Sequence, residues 1–204
     1  DLVEKLRRVL LGRCFDAFRL AFSNDPPANT EPLEIQMTPA IHSLKMPVVR
    51  RYNREGAQAL AELLESLEQA DMIYKNPMAT VASPAYPVRK GKFDPTAPLS
   101  ERYRLTVDLR AVNACTVPIE YPIPRLDYFM TMLAGKKYFG SLDLFSGYWQ
   151  LPLHKDSQKY FSIMTDKGVW TPRRLIQGSR NAAGPFQAAV STALGRSEEH
   201  TSEL

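Results

Sequence analysis

One aspartate lies inside an apolar stretch of the chain, where a carboxylate needs an explanation. Asp143 is near the centre of residues 138–145 (YFGSLDLF), whose composition predicts a β-strand. The two-residue period of a strand places Asp143 on the same face as Ser141. A carboxylate that faces a dry core without a partner is costly. Two interpretations remain open: Asp143 faces water beside Ser141, or it is a divalent-metal ligand at the rim of a cleft.

Basic side chains concentrate in two parts of the sequence. The formal net charge is +4, from 26 basic and 22 acidic residues. Between residues 86 and 110, three acidic residues stand against six basic ones: Arg89, Lys90, Lys92, Arg102, Arg104 and Arg110. A second group consists of Arg173, Arg174 and Arg180. Such clusters are typical of a protein that binds nucleic acid or nucleotide phosphate, although an unevenly charged surface would produce the same pattern.

The composition excludes several classes of protein. Hydrophobic residues make up 44% of the 204 residues and charged residues 24%, which is typical of a globular chain and not of a disordered one. No apolar run approaches the roughly 18 residues of a membrane span, so no membrane partner is expected. The two cysteines are far apart in sequence, which excludes a disulfide-dense secreted scaffold and indicates a reducing compartment.

The periodicity of the sequence predicts a mixture of helices and strands, and so an α+β fold. Asn53 can cap a helix whose apolar face continues to about Met72. Further helices are predicted at residues 126–133 and 181–194. Strands are predicted at residues 80–88, 103–109, 138–145, 159–165 and 169–176. The first strand contains Pro84 and Pro87, so it is expected to be an edge strand or bent. The last two strands flank a predicted hairpin turn at residues 166–168.

The two ends of the chain differ from its centre. Apolar residues at helical spacing follow Leu2, and Phe15, Phe18 and Phe22 continue the pattern. Residues 24–47 contain five prolines with little periodicity, so we interpret residues 1–43 as a helix plus a proline-rich connector. Residues 196–204 (RSEEHTSEL) match one translated frame of a widely used sequencing adapter, and we expect them to be an artefact tail. The first residue is Asp1, which suggests a fragment.

Three long motifs resemble one enzyme family and occur in that family's order. Residues 138–151 (YFGSLDLFSGYWQL) resemble the first catalytic motif of the reverse transcriptases of gypsy-type LTR retrotransposons. Residues 103–127, which include YRLTVDLRAVNACTV and YPIPRLD, resemble the strand segment of that family's fingers. Residues 159–187 resemble the segment that ends in the family's Gly-x-x-Asn-Ala…Phe-Gln nucleotide-binding motif. The resemblance predicts a reverse transcriptase region at residues 44–195.

The resemblance implies a fold and a reaction. The fold would be the fingers and the first part of the palm of a right-hand polymerase, truncated before the family's Tyr-x-Asp-Asp hairpin. The reaction would be RNA-directed DNA synthesis, in which a primer 3′-hydroxyl attacks the α-phosphate of a deoxynucleoside triphosphate with the help of two Mg²⁺ ions. Asp143 matches the catalytic carboxylate that binds both ions, and the carbonyl of Leu144 would assist it.

The resemblance also implies nucleotide-binding roles for five residues. Lys90 matches the lysine on the γ-phosphate, and Arg104 matches the arginine that stacks over the base and contacts the α-phosphate. Tyr148 matches the aromatic residue that packs under the sugar and excludes a 2′-hydroxyl, with a core tyrosine as the alternative. Gln177 and Gly178 match the turn that lines the sugar and the triphosphate, with a simple strand-to-helix turn as the alternative.

Other expectations concern partners and location. Asp108 and Arg110 match a pair that positions the fingers and the template, and a structural ion pair is an equal alternative. The implied partners are an RNA or DNA template-primer, deoxynucleoside triphosphates and the remainder of a Gag-Pol-like polyprotein. The family's site of synthesis implies cytoplasmic retroelement particles or the nucleus, and not the secretory pathway.

One departure from the family pattern limits the expected activity. The chain contains no Asp-Asp dipeptide, whereas the family draws further metal-binding carboxylates from its Tyr-x-Asp-Asp hairpin. We therefore expect this chain, as written, not to polymerise DNA. An alternative of a different class is a non-catalytic, nucleic-acid-binding remnant of a retroelement. A basic globular domain without polymerase ancestry would require the ordered motifs to be coincidental.

Overall fold

The structure, a computed structural model, combines seven α-helices and five strands in the part of the chain that it describes. That part comprises residues 2–13, 23–49, 51–122, 126–137, 141 and 143–199. The helices are α1 (Leu2–Arg13), α2 (Arg54–Gln69), α3 (Leu99–Arg102), α4 (Arg110–Cys115), α5 (Leu126–Leu133), α6 (Lys155–Gln158) and α7 (Ala183–Glu199). The strands are β1 (Ile73–Lys75), β2 (Ala82–Arg89), β3 (Tyr103–Val107), β4 (Ser162–Thr165) and β5 (Gly168–Pro172). Two 3-10 helices span Pro39–Ser43 and Gly147–Gln150. The predicted α+β class is confirmed.

The five strands form one mixed sheet in the order β1-β5-β4-β2-β3. Strands β4 and β5 form the predicted hairpin, in which Thr165 pairs with Gly168. Strand β2 runs parallel to β4 and antiparallel to β3. In this order β4 lies between β5 and β2, and β2 lies between β4 and β3.

Strand β2 lies inside the sheet and not at its edge, which corrects one of the two expectations raised by its prolines. Its first half pairs with β4, where Pro84 faces Met164. Its second half pairs with β3, where Pro87 faces Leu105. Because each half bonds to only one neighbouring strand, each proline nitrogen can face the side without a ladder. Because β2 changes its pairing partner along its length, it can contain two prolines, which a central strand bonded on both sides would not tolerate.

Helix α2 begins and packs as its sequence predicts. The Asn53 side chain accepts a hydrogen bond from the backbone N–H of Gly56 at 2.8 Å, which makes Asn53 the N-cap. The buried face of the helix packs against the sheet in three small apolar clusters, where Leu60 meets Ile163 and Leu64 meets Trp170. Gly56 has no room for a side chain, because a Cβ there would lie 2.7 Å from the capping oxygen of Asn53.

The stretch predicted as the strongest strand is not a strand in its described residues. Residues 138–140 and 142 lie outside the described residues, while Ser141, Asp143 and Leu144 have no regular secondary structure. A strand is stable only when hydrogen-bonded to a neighbour, and none of the five strands pairs with the described residues Ser141, Asp143 and Leu144. The short helix α4 was also missed, since no element was predicted at residues 110–115.

The proline-rich segment has no regular secondary structure apart from the 3-10 helix Pro39–Ser43, and it lies on the core. The Leu33 N–H donates to the Pro152 carbonyl at 2.9 Å, and the His154 N–H donates to the Leu33 carbonyl at 2.9 Å. Ile35 and Ile41 are 3% and 1% exposed in the largest apolar cluster. The predicted domain limits at residues 43 and 195 stay predictions. The expected continuation of α1 through Phe15, Phe18 and Phe22 lies outside the described residues, as do residues 200–204 of the predicted tail. Among the described helices, none has the length and apolarity needed to span a membrane.

Candidate functional site

A cavity of about 510 Å³ brings together five residues that the sequence nominated separately. Its lining includes Lys90, Arg104, Leu144, Tyr148 and Gln177. These residues come from the end of the β2–β3 ladder, the segment around the second 3-10 helix and the turn after β5. The volume lies within the range of about 300–1,000 Å³ that is usual for small-molecule sites.

The β2–β3 ladder positions the two cationic groups of the cavity. Arg104 pairs with Val88 across the ladder. Just beyond the ladder, the N–H of Lys90 donates to the Arg102 carbonyl at 2.9 Å. Both cationic side chains are exposed, and no carboxylate of the described residues is paired with either of them. The cavity therefore presents two cations that are available to an anionic ligand.

Two other basic residues of the first cluster, Arg89 and Arg102, are engaged in packing around the loop that follows β2. Phe93 packs between two guanidinium groups, with Arg89 at 4.5 Å and Arg102 at 5.5 Å from its ring centroid. Arg102 is also 2.7 Å from a carboxylate oxygen of Glu55 on α2. Hydrogen bonds from Thr96 lower the pKa of Asp94, chiefly through its hydroxyl, and these bonds hold the turn of the loop. The loop that begins at Lys90 is thus anchored by its neighbours.

Tyr148 reaches the cavity from a short and tightly packed helix. Ser146, just before that helix, has a left-handed backbone with φ of 46°. A Cβ on Gly147 would lie 2.7 Å from the Phe186 ring, so glycine allows this close approach. The rings of Tyr148 and Phe186 lie 5.1 Å apart. Tyr148 is half-buried against the largest apolar cluster, and it also lines the cavity. Its position is therefore compatible with both interpretations of the sequence, a core tyrosine and a residue that packs under the sugar.

Two asparagines that received no role from the sequence hold the turn at Gln177 and Gly178. The amide of Asn113 on α4 donates to the Gly178 carbonyl at 2.8 Å, and its oxygen accepts from the Arg180 N–H at 2.9 Å. The buried Asn181, just after the turn, bonds to a different segment: its amide donates to the Val117 carbonyl at 2.8 Å. Gly178 has φ of +96°, which favours glycine. Gln177 lines the cavity and Gly178 does not.

The family comparison agrees with this geometry. A sequence profile described as "Reverse transcriptase (RNA-dependent DNA polymerase)" matches residues 88–203, more than half of the chain. The chain belongs to the reverse transcriptase family. The family predicted from the ordered motifs is therefore confirmed. The matched range includes β3, Asp143, Tyr148 and the turn at Gln177.

Curated relatives come from retroelements, viruses and a plant. The chain is 26% identical over 156 residues to the Retrovirus-related Pol polyprotein from transposon 297 of Drosophila melanogaster, covering 76% of this chain and 14% of the relative. It is 36% identical over 91 residues to the Pol polyprotein from the Drosophila transposon gypsy, covering 45% of this chain and 9% of the relative. It is 33% identical over 97 residues to an RNA-directed DNA polymerase homolog of Oenothera berteroana, covering 48% and 68%. The chain spans a small part of the Pol polyproteins that it matches.

Solved structures share the fold. The foamy viral protease-reverse transcriptase in complex with an RNA/DNA hybrid matches with a TM-score of 0.75 and 22% identity, over 95% of this chain and 24% of that chain. The same viral protein in complex with double-stranded DNA matches with a TM-score of 0.72 and 23% identity, over 94% and 38%. The reverse transcriptase fold predicted from the motifs is thus confirmed.

The predicted metal-binding residue of this reverse transcriptase chain lies beside the cavity and not in its lining. Asp143 is exposed, and its neighbour Leu144 lines the cavity. A carboxylate and a main-chain carbonyl are the oxygen donors that Mg²⁺ prefers, so the two residues fit that ion in kind. Within the described ranges, no three His, Cys, Asp or Glu side chains converge on a metal-sized space. Asp143 and Leu144 therefore supply only some of the oxygen ligands that a Mg²⁺ ion needs.

Asp108 and Arg110 form a close ion pair at a second cavity. The Arg110 Nε and Nη2 atoms lie 2.8 and 2.6 Å from the two carboxylate oxygens of Asp108. This contact raises the pKa of the exposed Arg110 guanidinium, chiefly through the hydrogen bond to Asp108. The second cavity, of about 670 Å³, is also lined by Lys45 and Val48. Asp108 and Arg110 therefore form the ion pair that was one of the two alternatives, and their contact with a template stays a prediction.

The two neighbouring arginines after β5 have different environments. Arg173 is 3.1 Å from a carboxylate oxygen of Asp71 and stacks 4.8 Å over the Tyr74 ring at the surface. Arg174 is buried, and desolvation lowers the pKa of its guanidinium. Its nitrogens donate to the main-chain carbonyls of Trp149, at 3.4 Å, and Asp25. The second basic group of the sequence is therefore not one surface patch.

Proposed function

We propose that this chain forms the incoming-nucleotide side of an RNA-directed DNA polymerase that adds deoxynucleotides to a primer. The observation that carries the proposal is the cavity in which Lys90 and Arg104 meet Tyr148 and Gln177. Cations that have no carboxylate partner among the described residues, beside an aromatic ring and an amide, suit the triphosphate, sugar and base of a nucleotide. The activity, substrates and partners of a longer parent protein are part of this proposal.

Each residue has a role in the proposed nucleotide complex. Lys90 binds the terminal phosphate as a point charge, and Arg104 uses its planar guanidinium for the α-phosphate and the base. Tyr148 packs under the sugar, where its ring leaves no space for a 2′-hydroxyl. Gln177 contacts the sugar and triphosphate from the turn that Asn113 holds. Template and primer strands bind outside the cavity through phosphate contacts, which makes their binding sensitive to salt.

Metal binding is a separate part of the proposal. The Asp143 carboxylate and the Leu144 carbonyl would hold Mg²⁺ at the edge of the cavity. When bound, the metal would neutralise triphosphate charge and stabilise the charge that develops during transfer of the nucleotide. Asp143 is a single carboxylate and the sequence has no Asp-Asp dipeptide, so we propose that these 204 residues alone do not catalyse synthesis.

Nucleotide binding is tested with the intrinsic fluorescence of Trp149, which lines the cavity. Addition of thymidine 5′-triphosphate (dTTP) with Mg²⁺ should change the emission and saturate. Lys90→Ala should weaken dTTP binding about tenfold or more, since a charge-assisted hydrogen bond contributes roughly 1.5–3 kcal/mol. Lys92→Ala is the matched control, because Lys92 lies on the same loop outside the cavity lining, and it should stay within about twofold of the parent.

Primer extension separates binding from catalysis. A labelled primer on an RNA template, incubated with the chain, Mg²⁺ and all four deoxynucleoside triphosphates, should remain unextended. Extension that disappears in Asp143→Asn would contradict the proposed inactivity of the 204 residues. Salt-sensitive binding of the template-primer without any effect of dTTP on Trp149 would favour the alternative, a nucleic-acid-binding remnant.

A further inference from the structure

A buried arginine connects two segments that are far apart in the sequence. Arg174 is 6% exposed. One of its terminal nitrogens donates to the Trp149 carbonyl at 3.4 Å, and the other donates to the Asp25 carbonyl. Trp149 belongs to the 3-10 helix Gly147–Gln150, and Asp25 belongs to the proline-rich segment. A single guanidinium thus bridges the main chains of both segments.

A second contact joins the same two segments. The Ala28 N–H donates to the Gln150 carbonyl at 2.7 Å, at the end of the 3-10 helix. The Gln150 side chain in turn donates to the Phe145 carbonyl at 2.7 Å, before that helix begins. Residues 25–28 and Arg174 therefore contact carbonyls of two successive residues of the helix. We call these contacts, from Arg174 and from residues 25–28, the brace.

The helix that receives the brace has little intrinsic stability. It has four residues, and 3-10 helices have poorer hydrogen-bond geometry than α-helices and rarely run longer. It also follows the left-handed Ser146, a conformation with an energetic cost for a residue other than glycine. Its position must therefore come from contacts outside the helix, and the brace supplies two of them on its main chain.

Tyr148 is the residue whose position depends on this helix. Phe186 packs against the ring of Tyr148, while Tyr148 also lines the cavity. We propose that Arg174 is a positioning residue, which acts with residues 25–28 through the main chain of Trp149 and Gln150 to hold Tyr148 against the sugar of an incoming nucleotide. This inference rests on the proposed function. It also makes the proline-rich segment part of the nucleotide site.

A buried charge suits this task better than an apolar side chain. Replacing a buried charged group by an apolar one of similar size is often neutral or stabilising, so stability alone gives little reason to bury an arginine here. The planar guanidinium carries several donors in fixed directions, which lets one side chain bind two carbonyls at once. An apolar residue would fill the space without fixing either carbonyl.

The test measures the local order of Trp149 separately from nucleotide binding. The background is the full chain with Trp170→Phe, which leaves Trp149 as the sole tryptophan. Arg174→Met removes both donors of the guanidinium while keeping an apolar stem. Arg173→Met is the matched control, since it removes the same group from the adjacent surface position. Acrylamide quenching is measured well below the thermal unfolding midpoint of each variant.

The expected result is a local change in Arg174→Met. The quenching constant of Trp149 should rise about twofold or more, and the preference for dTTP over its ribonucleotide counterpart should fall at least threefold. Arg173→Met should leave both quantities within the error of the background protein. Unchanged quenching and preference in a folded Arg174→Met, or equal changes in Arg173→Met, would overturn the inference.

A second variant covers the case in which Arg174→Met does not fold. Ala28→Pro removes the N–H that donates to Gln150, and Ala28→Ser keeps that N–H as its control. Increased quenching in Ala28→Pro but not in Ala28→Ser supports the brace, and equal quenching in both overturns it. If the background protein binds no dTTP, the proposed function fails, and the quenching result alone still decides whether the brace holds Trp149.

Discussion

At the scale of single residues, the basic side chains divide by what they contact. Four arginines of the described residues are paired with carboxylates: Arg8 with Glu4, Arg102 with Glu55, Arg110 with Asp108 and Arg173 with Asp71. The two exposed pairs, Arg8 with Glu4 and Arg173 with Asp71, contribute little to stability. Lys90 and Arg104 face the cavity instead, without a carboxylate partner among the described residues. Anion binding is therefore expected from these two side chains and not from basic charge in general.

Asn113 offers a residue-scale test of the turn that carries Gln177. Asn113→Ala leaves the Gly178 carbonyl and the Arg180 N–H without their amide partner, so the turn should lose its fixed position. We expect dTTP binding to weaken about fivefold, the equivalent of roughly one ordinary hydrogen bond. The control is Asn76→Ala, which removes a hydrogen bond to Thr171 away from the cavity. Equal dTTP affinities in Asn113→Ala and the parent would show that the turn needs no such support.

At the scale of elements, the start of helix α2 depends on a capping hydrogen bond between Asn53 and Gly56. The Asn53 oxygen lies 2.8 Å from the Gly56 nitrogen, and Gly56 provides the space for it. The helix then covers the sheet through Leu60, Leu64 and Leu67. Because Leu63 and Leu67 also line the proposed nucleotide cavity, loosening the start of α2 affects stability first and the cavity second.

Capping predicts a specific change in stability. Asn53→Ala should lower the free energy of unfolding by about 1 kcal/mol, since the Gly56 N–H loses its acceptor. Asn53→Ser, which keeps a capping oxygen, should lose much less. Urea unfolding followed by far-ultraviolet circular dichroism measures both. A loss of the same size in both variants would mean that Asn53 acts through packing and not as a cap.

At the scale of the whole molecule, large apolar side chains remain exposed on α5 and near the cavity. They include Met130, Leu133, Leu144 and Phe145, with exposures between 37% and 63%. Exposed apolar groups of this size favour association with other molecules. We therefore expect the 204 residues to self-associate as their concentration rises.

Sedimentation velocity over a concentration series measures this association. The double substitution Met130→Lys with Leu133→Lys should shift the distribution towards the monomer. The control places two lysines beside these positions without removing a large apolar group, at Thr131 on α5 and at Ala134 just after the helix ends. Equal association in both double variants would mean that added charge, and not lost apolar area, governs the behaviour.

The sequence by itself determined the features that depend on near neighbours. The capped start of α2, the β4–β5 hairpin and the proline in the first turn of α7 follow from caps, turns and periodicity within a few residues. Family membership followed from the ordered motifs and is confirmed. The residue types suited to nucleotide binding were also evident, because charge and planarity are properties of the side chains themselves.

Only the tertiary structure decided which of these side chains meet. Nothing local distinguishes Arg173 from Arg174, yet one reaches Asp71 at the surface while the other joins Trp149 to Asp25 in the interior. The described residues Ser141, Asp143 and Leu144 belong to a stretch of strand composition, yet none of the three pairs with a strand, so pairing and not propensity governs their conformation. Contacts between distant segments depend on how the elements pack together, and the local pattern of a sequence does not encode that packing directly.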